Sequence, residues 1–267
     1  MAKAPQNSAA ARTESRLIAF EQPLSERMRM FLRIEFLHGQ TLLHSRHDAA
    51  YGARAAISSL LEILAITSRG DIRADVLKEL DRQIVRLKHY QQSPGVDADR
   101  LYRLMTEVER NREALLAAGK HFLASLRESE FLSAIRHRSS IPGGTCMFDL
   151  PEYGYWLHLP GAERTEQLRL WLRELQPLCD AIDQVLWLTR EASTPAQQTA
   201  TRGLYSHSLG KADNYELLRV LITQASGLYP EISAGAHRFT VRFARWQGTD
   251  VRARQSEDDV AFFLALC

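Results

Sequence analysis

Cysteine is scarce in this chain. Its three copies, Cys146, Cys179 and Cys267, are odd in number, widely spaced and free of any CxxC. That pattern supports neither a disulfide framework nor a zinc site, and it suits a reducing cytoplasm. Long apolar runs are missing too, with nothing approaching the ~18 residues of a membrane span. The small, polar N-terminus has no apolar stretch of signal-peptide length, so residues 1–15 are expected to form a mobile tail on a soluble, unexported chain. Charge of one sign is not in excess: the formal net charge is +2. Such a balance does not announce a nucleic-acid binder.

Signatures of catalysis are equally thin. There is no GxxxxGK[ST] and no GxGxxG, and Gly143-Gly144 leads into an expected strand rather than a helix. HExxH and GxSxG are absent. His44 and His47 lie three apart without a third ligand at a useful spacing. Glu79, Asp81 and Glu107 fall in helices rich in charge, where solvated faces explain them. Nothing in these residues argues for an enzyme, though none of them excludes one, and no metal or cofactor is expected.

What the chain does have is arginine. Of 34 basic residues in 267, only five are lysine, leaving 29 arginines. The rigid guanidinium fork grips carboxylates and phosphates two-pronged, although a GC-rich coding bias produces the same excess. Hydrophobic residues make up 45%, enough for a real core in one large or two small domains.

Helical spacing dominates from residue 22 to 140. Ser25 can cap a helix over 26–43 whose apolar residues cover more than one face, so it is expected to be buried between neighbours or to form a subunit contact. Ile57, Leu60, Leu61 and Leu64 define the next face. Asp71 and Asp97 are N-cap candidates for two further helices, and a last helical piece spans 120–138. Two more helices are read over 162–175 and 177–191, packed on the same domain, with Pro177 in a first turn.

The remaining segments read as β. A short strand covers Leu17–Phe20, and a strand pair is expected over 145–150 and 153–159. Later strands are placed near 198–208, 215–224, 237–246 and 259–267, with Gly210, Gly227, Pro230, Gly235 and Gly248 as turn residues. Early helices and late strands make an α+β protein. Its mostly antiparallel β domain would be assembled from 16–21, 141–160 and 195–267.

One stretch stands out. In His237-Arg-Phe-Thr-Val-Arg-Phe-Ala-Arg245, alternation puts Phe239, Val241 and Phe243 on one side of a strand. Arg238, Thr240 and Arg242 share the other, and residues 200–254 hold eight Lys/Arg against four Asp/Glu. This is either the solvated outer face of a sheet or a basic docking surface. For Arg69, before Gly70, a helix C-terminal dipole is sufficient explanation. The cluster Tyr153, Tyr155, Trp156 and His158 reads as core packing.

The segment Phe20-Glu-Gln-Pro-Leu, continuing through Leu32-Arg-Ile-Glu-Phe-Leu37, resembles the opening of the ZapD family of bacterial cell-division proteins. So do Leu77-Lys-Glu-Leu-Asp-Arg-Gln83, Ser140-Ile-Pro-Gly-Gly144, Phe148-Asp-Leu-Pro151 and Trp156-Leu-His-Leu-Pro160. Leu228-Tyr-Pro and Arg238-Phe-x-x-Arg-Phe243 extend the likeness towards the C-terminus. The resemblance implies a non-enzymatic, cytoplasmic homodimer with a helical and a β domain, acting at the midcell division ring. It also implies binding to the C-terminal tail of the tubulin-like GTPase FtsZ and cross-linking of its protofilaments. The positions matching the family's tail-binding arginines are Arg69, Arg238 and Arg242. A further family arginine is replaced here by Glu130, for which Arg136 or Arg138 could compensate. The alternative from the residues is a nucleic-acid-binding module using the same arginines on phosphates.

Overall fold

A computed structural model describes residues 16–46, 49–91, 93–119, 121–210, 214–235 and 237–267. The expected tail 1–15 and His47 of the histidine pair lie outside the described residues. The chain forms two compact units. A helical unit comprises Met30–Leu188, and a sheet unit combines the chain up to Arg29 with Thr189–Cys267. The fold class is α+β, with eight α-helices and eight strands among the described residues.

In the helical unit the local signals act as chemistry dictates. Ser25 Oγ accepts from the Met28 amide at the start of α1 (Glu26–Ser45), which buries Met28, Phe31, Ile34 and Leu37. Helix α2 (Ala50–Thr67) is long and apolar enough to cross a membrane, yet half of it is buried inside the protein, as in an ordinary core helix. Asp71 accepts from Ala74 N at 3.0 Å to begin α3 (Ile72–Tyr90), and Asp97 does the same from Arg100 N for α4 (Ala98–Ala117). Such caps satisfy amides that the first helical turn leaves without partners. Helices α3 and α4 pack together, bridged by an Arg112–Asp81 ion pair of 2.6 Å.

Three expectations need correction here. The helical piece over 120–138 is two helices, α5 (Ala124–Glu128) and α6 (Glu130–Arg138), separated by extended Ser129, whose hydroxyl caps α6. The strand pair over 145–159 does not form: 141–149 is turns, and Pro151–His158 is helix α7. Buried Tyr153, Trp156 and Leu157 fall at i, i+3 and i+4, a helical face, and Pro151 sits in the first turn where its missing amide costs nothing. This segment belongs to the helical unit rather than to the β domain. Finally, 161–191 is one helix, α8, with Pro177 inside it. Leu175, Leu178, Ile182, Val185 and Leu186 are fully buried on both sides of that proline. Their packing outweighs the roughly 3 kcal/mol a mid-helix proline costs.

The sheet unit holds two antiparallel sheets. The first runs β1 (Leu17–Pro23), β4 (Leu217–Thr223), β8 (Val260–Leu266), β2 (Ala196–Ala200). The second runs β3 (Leu204–Ser208), β6 (Arg238–Arg245), β5 (Leu228–Ala234), with β7 (Arg254–Gln255) pairing the end of β6. Val220 and Ile222, Phe262 and Leu264, and Phe239, Val241 and Phe243 form one core from both sheets. The Phe243 and Phe262 rings lie 5.0 Å apart. Each such ring contributes about 1.5–3 kcal/mol on burial.

Two strand expectations change. The single strand near 198–208 is broken into β2 and β3, which belong to different sheets. Arg202 and Gly203 both take positive φ there, and a Cβ on Gly203 would lie 2.6 Å from the Ser256 carbonyl oxygen. Only glycine fits such a corner. Strand β5 was hidden by Gly227, Pro230 and Gly235, read as turns. Among the described residues it pairs only with β6, and an edge strand tolerates a proline.

Candidate functional site

The outer face of the second sheet follows from strand alternation. Phe239, Val241 and Phe243 face the core, so Arg238, Thr240 and Arg242 are turned outward. Cross-strand register then sets their neighbours. Arg242 stands between Leu204 of β3 and Glu231 of β5; Thr240 stands between Ser206 and Ser233. Arg238 is opposite Ser208. A four-residue offset along extended chain sets the two arginines roughly 13 Å apart between Cα atoms. Leu204 is 47% exposed, so an apolar side chain lies open beside a guanidinium.

Arg242 is not free: its guanidinium is paired with the Glu231 carboxylate, both side chains being 44% exposed. An exposed pair of this kind is worth about 0–1 kcal/mol, so an incoming carboxylate can exchange with it. Arg238 is exposed and makes no ion pair among the described residues. Other cations of this unit are committed to the fold. Arg190 and Arg219 share the Glu21 carboxylate, and Arg27 pairs with Glu216. Within 200–254 these pairs take up only Arg219 and Glu216, one charge of each sign, so they leave the basic excess there as it was.

Arg69 belongs to the helical unit, in the turn between α2 and α3. It borders a cavity of about 680 Å³ together with Arg73, Arg127 and Asp71. Sequence reasoning did not single out Arg73 or Arg127. Arg73 donates to the Leu115 and Leu116 carbonyls, both at 3.0 Å, and Arg127 to the Thr67 carbonyl at 3.0 Å. They neutralise the carbonyl ends of α4 and α2. Three guanidiniums against one capping carboxylate make the hollow basic.

Arg136 and Arg138 lie exposed in the last turn of α6. Arg138 is 3.7 Å from Asp149, while Glu130 stands exposed in the first turn of the same helix. Of the expected core cluster only Tyr153 and Trp156 are buried, Trp156 lying 5.8 to 6.2 Å from Phe131, Trp171 and Tyr153, whereas Tyr155, 71% exposed, and His158 fall on the opposite, solvent-facing side of α7. Arg54 covers the Tyr153 ring at 5.2 Å, and burial pushes the phenol up to about 12. His158 Nδ1 is 2.7 Å from the Gly154 carbonyl. Among the described residues no group of three His, Cys, Asp or Glu is arranged to hold a metal ion.

Fold and surfaces together define an α+β protein whose accessible chemistry is guanidinium-rich. A family profile of the ZapD cell division proteins matches residues 32–242. The chain is 36% identical over 251 residues to Cell division protein ZapD of Dechloromonas aromatica (strain RCB), covering 94% of this chain and 99% of the relative. Identity to the protein of the same name from Janthinobacterium sp. (strain Marseille) is 37% over 252 residues, with 94% and 99% coverage. For Shigella dysenteriae serotype 1 it is 38% over 250 residues, with 94% and 98% coverage. The chain belongs to the ZapD family, and its role is in cell division.

Proposed function

We propose that this chain is a non-enzymatic, cytoplasmic cross-linker of FtsZ protofilaments at the midcell division ring. It binds the C-terminal tail of FtsZ and works as a homodimer without a cofactor. The observation that carries the reading is the outer sheet face, where Arg242 projects beside exposed Leu204 and Arg238 stands further along the same face opposite Ser208. A flexible peptide with acidic and apolar residues fits that pattern. Its carboxylate displaces Glu231 from Arg242 while its apolar part covers Leu204. Within the helical unit, Arg69 and, for the arginine that Glu130 replaces, Arg136 and Arg138 are the further cations proposed for tail binding.

Ordering a short tail costs entropy, and charge-assisted hydrogen bonds return around 1.5–3 kcal/mol each. A single site should therefore bind in the micromolar range, about −8 kcal/mol. Two sites on a dimer gain avidity on a filament that repeats its tails. Phe36 and Leu43 on α1, 64% and 56% exposed, are the proposed dimer contact, testable by light scattering of Phe36→Ser.

The decisive experiment is co-sedimentation with polymerised FtsZ, full-length against tail-deleted. Pelleting lost only with the deletion supports the reading; pelleting unchanged by it, or displacement of bound tail by DNA or RNA in direct competition, counts against it.

A further inference from the structure

The helical unit contains a second basic hollow, independent of the tail-binding reading. It is a cavity of about 460 Å³ between the C-terminal half of α1 and the middle of α8. Helix α1 lines it with His38 and Leu42, four apart and so on one face, and Arg46 follows in the turn just past the helix end. From α8 come Arg169, Leu172, Arg173 and Asp180.

The polar groups here are unevenly satisfied. His38 is only 8% exposed, yet its ring has no hydrogen-bond partner among the described residues. Arg169 is held by Glu166, but Arg46 and Arg173 are exposed and make no ion pair among the described residues. The hollow therefore combines two guanidiniums without an ion pair, of which Arg173 lies within electrostatic reach of Glu166, with an imidazole that has no hydrogen-bond partner among the described residues and two leucine side chains. Asp180 is the one carboxylate in the lining.

We propose that this cavity binds a small hydroxyl-bearing phosphomonoester of about the size of a nucleoside monophosphate. The guanidinium forks of Arg46 and Arg173 match phosphate oxygens. His38 hydrogen-bonds the ligand at the floor, and Leu42 and Leu172 cover its carbon skeleton. Asp180 accepts from a ligand hydroxyl and disfavours a second anionic group, which selects a monophosphate over a polyphosphate. The volume falls within the ~300–1,000 Å³ common for small-molecule sites. Burial holds His38 below its ordinary value, opposed more weakly by Asp180, so at neutral pH the ring keeps one donor and one acceptor nitrogen.

Isothermal titration of the full chain with adenosine monophosphate tests this, with adenosine as the phosphate-free control. The expected dissociation constant is about 0.1–1 mM, with adenosine at least tenfold weaker. Arg173→Gln and Arg46→Gln should each weaken adenosine monophosphate about tenfold, since each removes a charged partner of the phosphate. His38→Leu should weaken it severalfold; if that variant fails to fold, the two exposed arginine variants carry the test. Affinity for an FtsZ tail peptide should be unchanged in Arg173→Gln, separating this site from the sheet face. The proposal is overturned if adenosine monophosphate gives no saturable binding, if adenosine binds equally well, or if Arg173→Gln alters the association state but not the binding.

Discussion

The arginines of the sheet face and those of the hollow beside Arg69 are chemically identical but differently committed. Arg73 and Arg127 lie along helix ends, where carbonyl oxygens of the last turn already occupy them. Arg238 and Arg242 stand on an extended strand whose own backbone groups are satisfied by β3 and β5. Their cross-strand neighbours among the described residues are Leu204, Ser206, Ser208 and Ser233 and the one carboxylate of Glu231. A helix end consumes cations, whereas a strand face displays them. The value of a charge for binding is set by what already holds it.

This contrast can be broken most forcefully through the platform beneath the sheet arginines. Phe243→Ala removes a fully buried ring packed on Phe262. It should cost about 3–5 kcal/mol in urea unfolding; a loss well under that would mean the strand face is held by something other than its core. Gly203→Ala should cost about 1–3 kcal/mol by the same measurement, because its φ of +71° and the nearby Ser256 carbonyl leave no room for a Cβ.

Arg242→Glu should weaken binding of an FtsZ tail peptide at least about tenfold, with the circular-dichroism spectrum unchanged. Arg73→Gln should do the reverse, lowering stability by about 1 kcal/mol while leaving tail affinity intact. Equal effects of the two variants on affinity would erase the distinction. Glu231→Gln sharpens it further. Freed from its internal partner, Arg242 should bind the peptide about two- to fivefold tighter, the scale of an exposed ion pair.

The smallest effect is a pH dependence confined to the helical unit. Folding keeps His38 below 6.5 by burial, with Asp180 pulling weakly upward and Arg46, Arg169 and Arg173 facing the same hollow. Below 6.5 the unfolded chain binds the proton more readily than the folded one. This contribution to stability is therefore complete above 6.5 and is lost as pH falls towards the folded-state value. Melting temperatures over about pH 5 to 8 should show that slope, and His38→Leu should flatten it.

The features legible in the sequence were those that depend on near neighbours. Asp71 and Asp97 announce helix starts because a cap reaches only three residues. The outward side of β6 was readable because alternation is local. The segment 145–159 was misread because its aromatic content favours strands, while its i, i+3, i+4 burial is apparent only against Phe131 and Trp171. Strand β5 was missed because Pro230 is acceptable only at an edge, and edges are defined by other strands.

Residue order was thus enough for the α+β class, the helix caps and the two arginines on one strand face, all consequences of short-range geometry. Long-range pairing was needed to place Glu231 against Arg242, to send β2 and β3 into separate sheets, and to enclose His38 between α1 and α8. The reason is physical: a side chain's periodicity is written in its neighbours, but its electrostatic partner and its share of water are chosen by chain segments far away in sequence.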